Sequence, residues 1–314
     1  MTTAMSPLTL SPREQFARTS SDLVNRDPRV ALVYAEISGQ YLGEVTRHHP
    51  DRVINVGIRE QLLVSTGAGL ALSGLKPIVH TFASFLVERS FEQIKLDFVH
   101  QGVDGVLVGS GGSFDIAAGG RTHQSPGDVA LLATLPEIAV HVPGTAIEVD
   151  AAIRASVAAG GMHYVRVVEQ TNRRVFAHQP GRFHTVRREP GAPVVVAVGP
   201  QLDAVLEATA HRSVTVLYAN TVRPFDHRGL AAVADSGEVV LVEPYLAGTS
   251  AYEVAVALEA VPHRLLALGV RQPELRRYGS PDEHIAAHGL DAAGLRAAID
   301  RFLDRAAPVS REEP

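Results

Sequence analysis

Short apolar runs alternate with amphipathic or Ala-rich stretches along the whole chain. Residues 30–37 (Val-Ala-Leu-Val-Tyr-Ala-Glu-Ile) are almost continuously apolar, as expected of a parallel strand covered on both faces. Before them, residues 13–24 read as an amphipathic helix with Phe16 and Leu23 on its buried side, ended by Asp27-Pro28. Further strands are predicted at 52–56, 76–81, 103–109, 138–142 and 164–168. Helices fall at 60–72, from Phe82-Ala83-Ser84-Phe85-Leu86 to Phe98, at 128–135 and at 145–159. The helix from Glu60 is rich in Ala, Gly and Ser, which permits close approach to another backbone; its glycines cost about 1 kcal/mol each against Ala, so a packing reason is expected. Strict alternation of strand and helix predicts a parallel, doubly wound α/β sheet.

Residues 172–193 are polar and basic and contain Pro180-Gly181 and Pro190-Gly191, the composition of a linker with at most a short hairpin. The alternation then restarts, with strands at 194–198, 214–219, 238–242 and 264–268 and helices at 201–211, 227–234, 250–258 and 292–305. The expected organisation is a flexible arm (1–12), a first α/β domain (13–175), a linker (176–192), a smaller second α/β domain (193–305) and a disordered tail (306–314). A length of 314 residues with 46% hydrophobic content suits two cores.

Charge excludes several partner classes. The net charge of -5 arises from 29 basic and 34 acidic residues spread along the chain, with no basic stripe for nucleic acid and no polybasic run for a membrane. There are no cysteines, which removes disulfides, thiolate metal sites and thiol nucleophiles together. No basic region followed by an apolar core opens the chain, so an untargeted cytoplasmic protein is expected.

Candidate chemistry gathers beyond the C-terminal ends of the first domain's strands, the ligand crevice of such sheets. Glu60 opens a tight-packing helix, Phe82 and Phe85 flank a strand-to-helix junction, and His123 follows the glycine-rich loop 110–120. Glu36 falls at the end of the first strand, where a solvated loop carboxylate is the alternative. Each has a bland reading when taken singly: a carboxylate favoured by the helix dipole, core phenylalanines and a loop histidine.

Taken together, Gly57-Ile58-Arg59-Glu60-Gln61, Thr81-Phe82-Ala83-Ser84-Phe85 and Gly120-Arg121-Thr122-His123-Gln124, in that order and spacing, resemble the pyrimidine-binding domain of transketolases. The second domain resembles the transketolase C-terminal domain at Thr221-Val222-Arg223-Pro224-Phe225-Asp226 and Val242-Glu243-Pro244-Tyr245. The resemblance implies two-carbon ketol transfer with thiamine diphosphate, the cofactor carrying the carbanion chemistry and the protein positioning it. By that analogy Glu60 is catalytic and hydrogen-bonds N1′ of the aminopyrimidine, with Phe82, Phe85, Glu36 and Ile58 on the cofactor. His123 is catalytic and faces the substrate with Gln124, and Arg166 is a candidate for substrate phosphate.

Departures from the family pattern carry information too. No Gly-Asp-Gly motif for the diphosphate and a divalent metal is present. The resemblance therefore implies the C-terminal subunit of a split transketolase, with a separate N-terminal subunit supplying the diphosphate site and Mg²⁺ in an α2β2-type assembly. The family's acidic residue before Thr-His-Gln is replaced by Ala118-Gly119-Gly120 and its early loop histidine by Gly111-Gly112. Its phosphate-gripping arginine is replaced by the segment Val168-Glu169-Gln170-Thr171-Asn172, where a carboxylate repels phosphate. Arg166, Arg173, Arg174 and Arg13 are nearby cations, and the expectation is a substrate other than an ordinary pentose phosphate. Within the same fold the alternative is a thiamine-dependent 2-oxoacid acyl transferase of deoxyxylulose-phosphate-synthase type or a dehydrogenase β-subunit. Outside it, the alternative is a non-catalytic assembly subunit. His48-His49 read as a solvated turn, His284 and His288 as one face of a surface helix, and Arg276-Arg277 as a solvated turn.

Overall fold

A computed structural model describes residues 10–271, 276 and 278–305. The tail at 306–314, most of the arm and Arg277 therefore lie outside the described residues. The first domain runs α1 (Pro12–Arg26), β1 (Val30–Tyr34), α2 (Gly39–His48), β2 (Val53–Asn55), α3 (Glu60–Leu72) and β3 (Lys76–Phe82). Two π-helical turns, Ser84–Arg89 and Ile94–Val99, then bracket α4 (Phe91–Gln93). β4 (Gly105–Ser110), α5 (Asp128–Leu132), β5 (Ile138–His141), α6 (Ala146–Ala159) and β6 (Met162–Val167) complete it. The second domain follows with β7 (His184–Arg187), β8 (Val194–Val198), α7 (Leu202–Ala208), β9 (Thr215–Ala219), β10 (Thr221–Arg223), α8 (His227–Ala231), β11 (Glu238–Leu246), α9 (Ala251–Ala257), β12 (Arg264–Val270), α10 (Pro281–His288) and α11 (Ala292–Leu303).

Ser11 caps α1 in a reciprocal capping box with Glu14, and Pro12 occupies the first turn, where its missing N–H costs nothing. β1 then alternates its burial between two layers. Val30, Leu32 and Tyr34 pack with Phe16, Val24, Ile153 and Val157 of α1 and α6. Val33 packs in a second core with Leu63, Val64, Val79 and Phe98. Helices thus cover both faces, as the doubly wound reading expects.

The first sheet has the order β10-β5-β6-β4-β3-β1-β2 and the second β12-β11-β8-β9-β7. All pairings are parallel except those of β10 with β5 and β7 with β9. Two strands differ from expectation. The stretch read as linker contributes β7, an edge strand bonded to β9, and the second domain lends β10 to the edge of the first sheet. One core runs through both domains, with Val194, Leu217, Leu241 and Tyr245 in the same cluster as Leu63 and Leu107.

The small-residue helix α3 has its packing reason at Gly67, where an added Cβ would stand 2.5 Å from Val79 Cγ2 and 3.2 Å from Phe98 Cζ. Gly69 meets nothing of this chain within 4 Å.

Candidate functional site

Glu60 is the first residue of α3 and only 2% exposed. A carboxylate buried to that degree requires a cation or hydrogen-bond donors. Arg89 supplies them, its Nη1 standing 2.7 Å from Glu60 Oε2. Arg89 comes from the π-helical turn after β3, and its guanidinium also lies 4.1 Å from the centroid of Phe85. The wider winding of that turn is secured where Ser90 Oγ donates to the Phe85 carbonyl at 3.2 Å, five residues back.

From Phe85 the contacts continue inward. The ring of His123 stands edge-on to Phe85 at 5.0 Å and to Phe82 at 5.9 Å, and the two phenylalanines meet edge-on at 6.1 Å. These are favourable aromatic geometries. Arg13 of α1 closes the far side, 5.5 Å from the Phe82 centroid. Its Nε donates to Ser38 Oγ at 2.9 Å, and Ser38 Oγ is 2.9 Å from His80 Nε2. His80 Nδ1 faces the Val108 carbonyl at 2.9 Å, so Nδ1 carries the proton and Nε2 accepts from Ser38. Burial pushes the His80 pKa down to about 3, which fixes that neutral form. Glu60, Phe82, Phe85 and His123 thus share one continuous assembly, and sequence reasoning missed two members, Arg89 and His80. Only the rule that a buried carboxylate needs a cation pointed toward Arg89.

His123 is placed by backbone. Its N–H donates to the Gly120 carbonyl at 3.0 Å, and a Cβ on Gly119 would fall 2.8 Å from the His123 ring. Its Nδ1 lies 2.9 Å from Thr122 Oγ1. Gln124 is buried, with its carbonyl accepting from Arg121 Nη1 at 3.0 Å. Glu36 is exposed in a left-handed conformation (φ 59) at the end of β1. It is tied to the Asp51–Gln61 stretch by Asn55, whose Nδ2 donates to Glu36 Oε1 at 3.3 Å. Ile58 is 72% exposed.

Arg166 stands elsewhere. Its side chain is fully buried, with Nε donating to Asp128 at 2.8 Å and Nη2 to Ser113 Oγ at 2.7 Å. Tyr164 donates to the same Asp128 carboxylate at 2.8 Å. As an interior residue of β6, Arg166 takes part in a buried ion pair behind the glycine-rich loop, while its Nη1 has no hydrogen-bond partner and the residue lines a cavity with Gly112, Ser113 and Glu169. Glu169 is exposed just past β6, and partial desolvation of its carboxyl pushes its pKa up against the opposing pull of Arg13. Asp115 accepts the Glu169 N–H at 2.8 Å, and burial raises its carboxyl to about 7. His284 and His288, expected on a surface helix, are 0% and 6% exposed, because they pack against Phe114 of the first domain.

The donor set fits a heteroaromatic cofactor. One buried carboxylate can exchange a hydrogen bond with a ring nitrogen, two phenylalanines offer apolar walls, and one imidazole lies beside them. Among the described residues no group of three or more His, Cys, Asp or Glu could hold a metal ion, and no helix is long and apolar enough to cross a membrane.

Comparison with known proteins identifies the family. Residues 9–174 match the transketolase pyrimidine-binding domain. An uncharacterised 33.6 kDa protein in the fasciation locus of Rhodococcoides fascians is 46% identical over 292 residues, covering 92% of this chain and 93% of that protein. The 1-deoxy-D-xylulose-5-phosphate synthases of Azoarcus sp. and Anaeromyxobacter sp. strain K are 29% and 33% identical, and the chain spans about half their length, 48% and 47%. Among solved structures, a split-gene transketolase described as an inactive β4 tetramer superposes with a TM-score of 0.80 at 24% identity, covering 94% of this chain and 98% of that one. Campylobacter jejuni transketolase gives 0.77 at 16% identity, with 47% of its chain covered. The chain belongs to the transketolase family of thiamine-dependent enzymes, with that family's pyrimidine-binding domain followed by a C-terminal α/β domain.

Proposed function

We propose that this chain is the pyrimidine-binding subunit of a split transketolase that moves a two-carbon ketol unit from a ketose donor to an aldehyde acceptor. The observation that carries the reading is the unbroken run of contacts Glu60–Arg89–Phe85–His123–Phe82, with a 2.7 Å ion pair at one end and an imidazole among aromatic rings at the other. Bound thiamine diphosphate supplies the carbanion-stabilising centre. Glu60 would hydrogen-bond N1′ of the aminopyrimidine, with Arg89 keeping its carboxylate aimed. Phe82 and Phe85 would flank the ring and exclude water, and Glu36 and Ile58 would complete the cofactor side. His123 holds or donates a proton at the substrate oxygen, with Gln124 beside it.

The diphosphate and Mg²⁺ are held by a separate N-terminal subunit in an α2β2-type assembly in the cytoplasm. Exposed Ile58, Leu62 and Leu72 (72%, 47% and 63%) lie on and before the Glu60 helix and suit burial against a partner. The Glu169 carboxyl lies within electrostatic reach of Arg13 and offsets part of its charge, which favours donors or acceptors less anionic than pentose phosphates.

A second reading, a 2-oxoacid donor, is favoured by the deoxyxylulose phosphate synthases among the relatives. The test is product analysis of the chain mixed with a candidate N-terminal subunit, thiamine diphosphate and Mg²⁺. Phosphorylated and unphosphorylated ketoses are compared with pyruvate as donors, and Glu60→Ala is the control. Ketol transfer from an unphosphorylated ketose, lost in the variant, is expected. Turnover of pyruvate alone selects the second reading, and activity indifferent to Glu60 returns the chain to a purely assembling role.

A further inference from the structure

We infer that Phe114 is a positioning residue through which the C-terminal domain sets His123. The inference rests on the reading that His123 faces the substrate, and its first test is independent of that reading. The glycine-rich loop that carries His123 is closed at its base by a two-way backbone bridge, Ser113 N–H to Ser125 O at 3.1 Å and Ser125 N–H to Ser113 O at 3.0 Å. Ser113 adopts a left-handed φ of 53, a conformation that non-glycine residues hold only where their surroundings enforce it.

The enforcement comes from the second domain. Phe114, 6% exposed, stacks on His284 at 4.6 Å and 18° and on His288 at 5.0 Å and 5°, two histidines one turn apart on α10. Ser113 Oγ donates to the Pro244 carbonyl, and Leu246 N–H donates to the Pro126 carbonyl at 2.8 Å. Both ends of the loop are therefore pinned to the same domain.

The histidines are themselves fixed. His284 Nε2 faces the Tyr278 carbonyl at 2.6 Å, and His288 Nδ1 accepts from Arg271 N–H at 3.1 Å. Ser280 and Glu283 cap α10 reciprocally. The Tyr278 ring in turn backs onto Gly120, where an added Cβ would stand 2.7 Å from Cε1. Gly120 is the residue whose carbonyl receives the His123 N–H. A mechanical path runs from α10 to the catalytic imidazole at two points. On its open side Phe114 borders a cavity of about 430 Å³, also lined by Asp115, Arg166, Gln201, Ile285 and Leu290. Without the ring the loop has space into which to relax.

The experiment measures the rate at which diethyl pyrocarbonate modifies His123, read by peptide mass spectrometry on the full chain. Phe114→Ala is compared with Phe114→Tyr, which keeps the stack. The alanine variant is expected to change the His123 rate severalfold and to unmask His284 and His288, while the tyrosine variant keeps wild-type rates. Should the alanine variant fail to fold, Phe114→Leu, which fills the space without stacking, is measured in its place. In the reconstituted complex kcat/KM then falls roughly tenfold or more while thiamine diphosphate affinity holds. A His123 rate unchanged in a folded variant whose His284 and His288 are unmasked would overturn the inference. If His123→Ala leaves turnover intact while Phe114→Ala still alters His123 reactivity, the positioning stands and the functional reading of His123 fails.

Discussion

Substituting two glycines of one helix by alanine separates the packing that holds Glu60 from the intrinsic cost of glycine. Gly67 and Gly69 both lie in α3, so Ala at either gains about 1 kcal/mol of helix propensity. At Gly67 the new methyl would stand 2.5 Å from Val79 Cγ2 and 3.2 Å from Phe98 Cζ. Val79 is β-branched and sits within β3, so its side chain has little freedom to turn away. Phe98 is fully buried. Relief requires the helix itself to shift, an overpacking cost of about 1–3 kcal/mol. At Gly69 nothing lies within 4 Å and the propensity gain stands alone.

The gain is common to both variants, so their difference isolates the clash. Gly69→Ala is expected to be more stable than Gly67→Ala by about 1–3 kcal/mol in urea denaturation at equal slope. Moving α3 also moves Glu60, so Gly67→Ala weakens the 2.7 Å pair with Arg89 and lowers activity, whereas Gly69→Ala leaves that pair untouched. Equal stability of the two variants would refute this account of how α3 seats its first residue.

Two other predictions concern the same assembly. Arg89→Met leaves the Glu60 carboxylate buried without its cation; because the arginine side chain is 40% exposed, the loss is set at about 1–3 kcal/mol rather than the larger cost of a fully buried pair. Adding Glu60→Gln should recover most of that loss in a double-mutant cycle, and strict additivity would mean the pair is not coupled. His80 is held neutral with its pKa at about 3, below the unfolded value near 6.5. The unfolded chain therefore takes up the proton first as pH falls, and stability present above pH 6.5 is lost progressively toward pH 3, by about 2 kcal/mol at pH 5. Asp115 and Glu243, raised to about 7 by burial, pull the other way, their contribution fading as pH rises through 7. The measurement is accordingly the pH slope of wild type minus that of His80→Gln, which should be positive between pH 5 and 6.5; a flat difference contradicts the burial argument.

Much of the fold was legible because parallel α/β architecture writes itself in local periodicity. The runs that became β1 and β8 are apolar on both faces, and α3 begins at Glu60 as expected because its small residues and N-terminal carboxylate are local signals. Non-local features were not legible. The π-helical winding that brings Arg89 five residues past Ser84 against both Phe85 and Glu60 leaves no mark distinguishable from an ordinary helix. α2 went unread, with Gly39 and Gly43 masking a helix that buries only Leu42 and Val45. β7 hid in polar linker composition because an edge strand needs little apolar surface. His284 and His288 were rightly assigned to one helix face, but their burial depends on Phe114, distant in sequence. Nothing in a strand sequence announces that Asp128 will meet Arg166.

On the proposed reading, Glu60 works on a cofactor that this chain holds by one side only. That reading is tested most directly by calorimetric titration of thiamine diphosphate with Mg²⁺ into this chain, into its candidate N-terminal partner, and into the two together, each repeated with Glu60→Ala, with turnover followed in the same samples. The account predicts tight binding and ketol transfer in the mixture, with turnover abolished and affinity reduced by the substitution. Turnover that survives Glu60→Ala unchanged would contradict it.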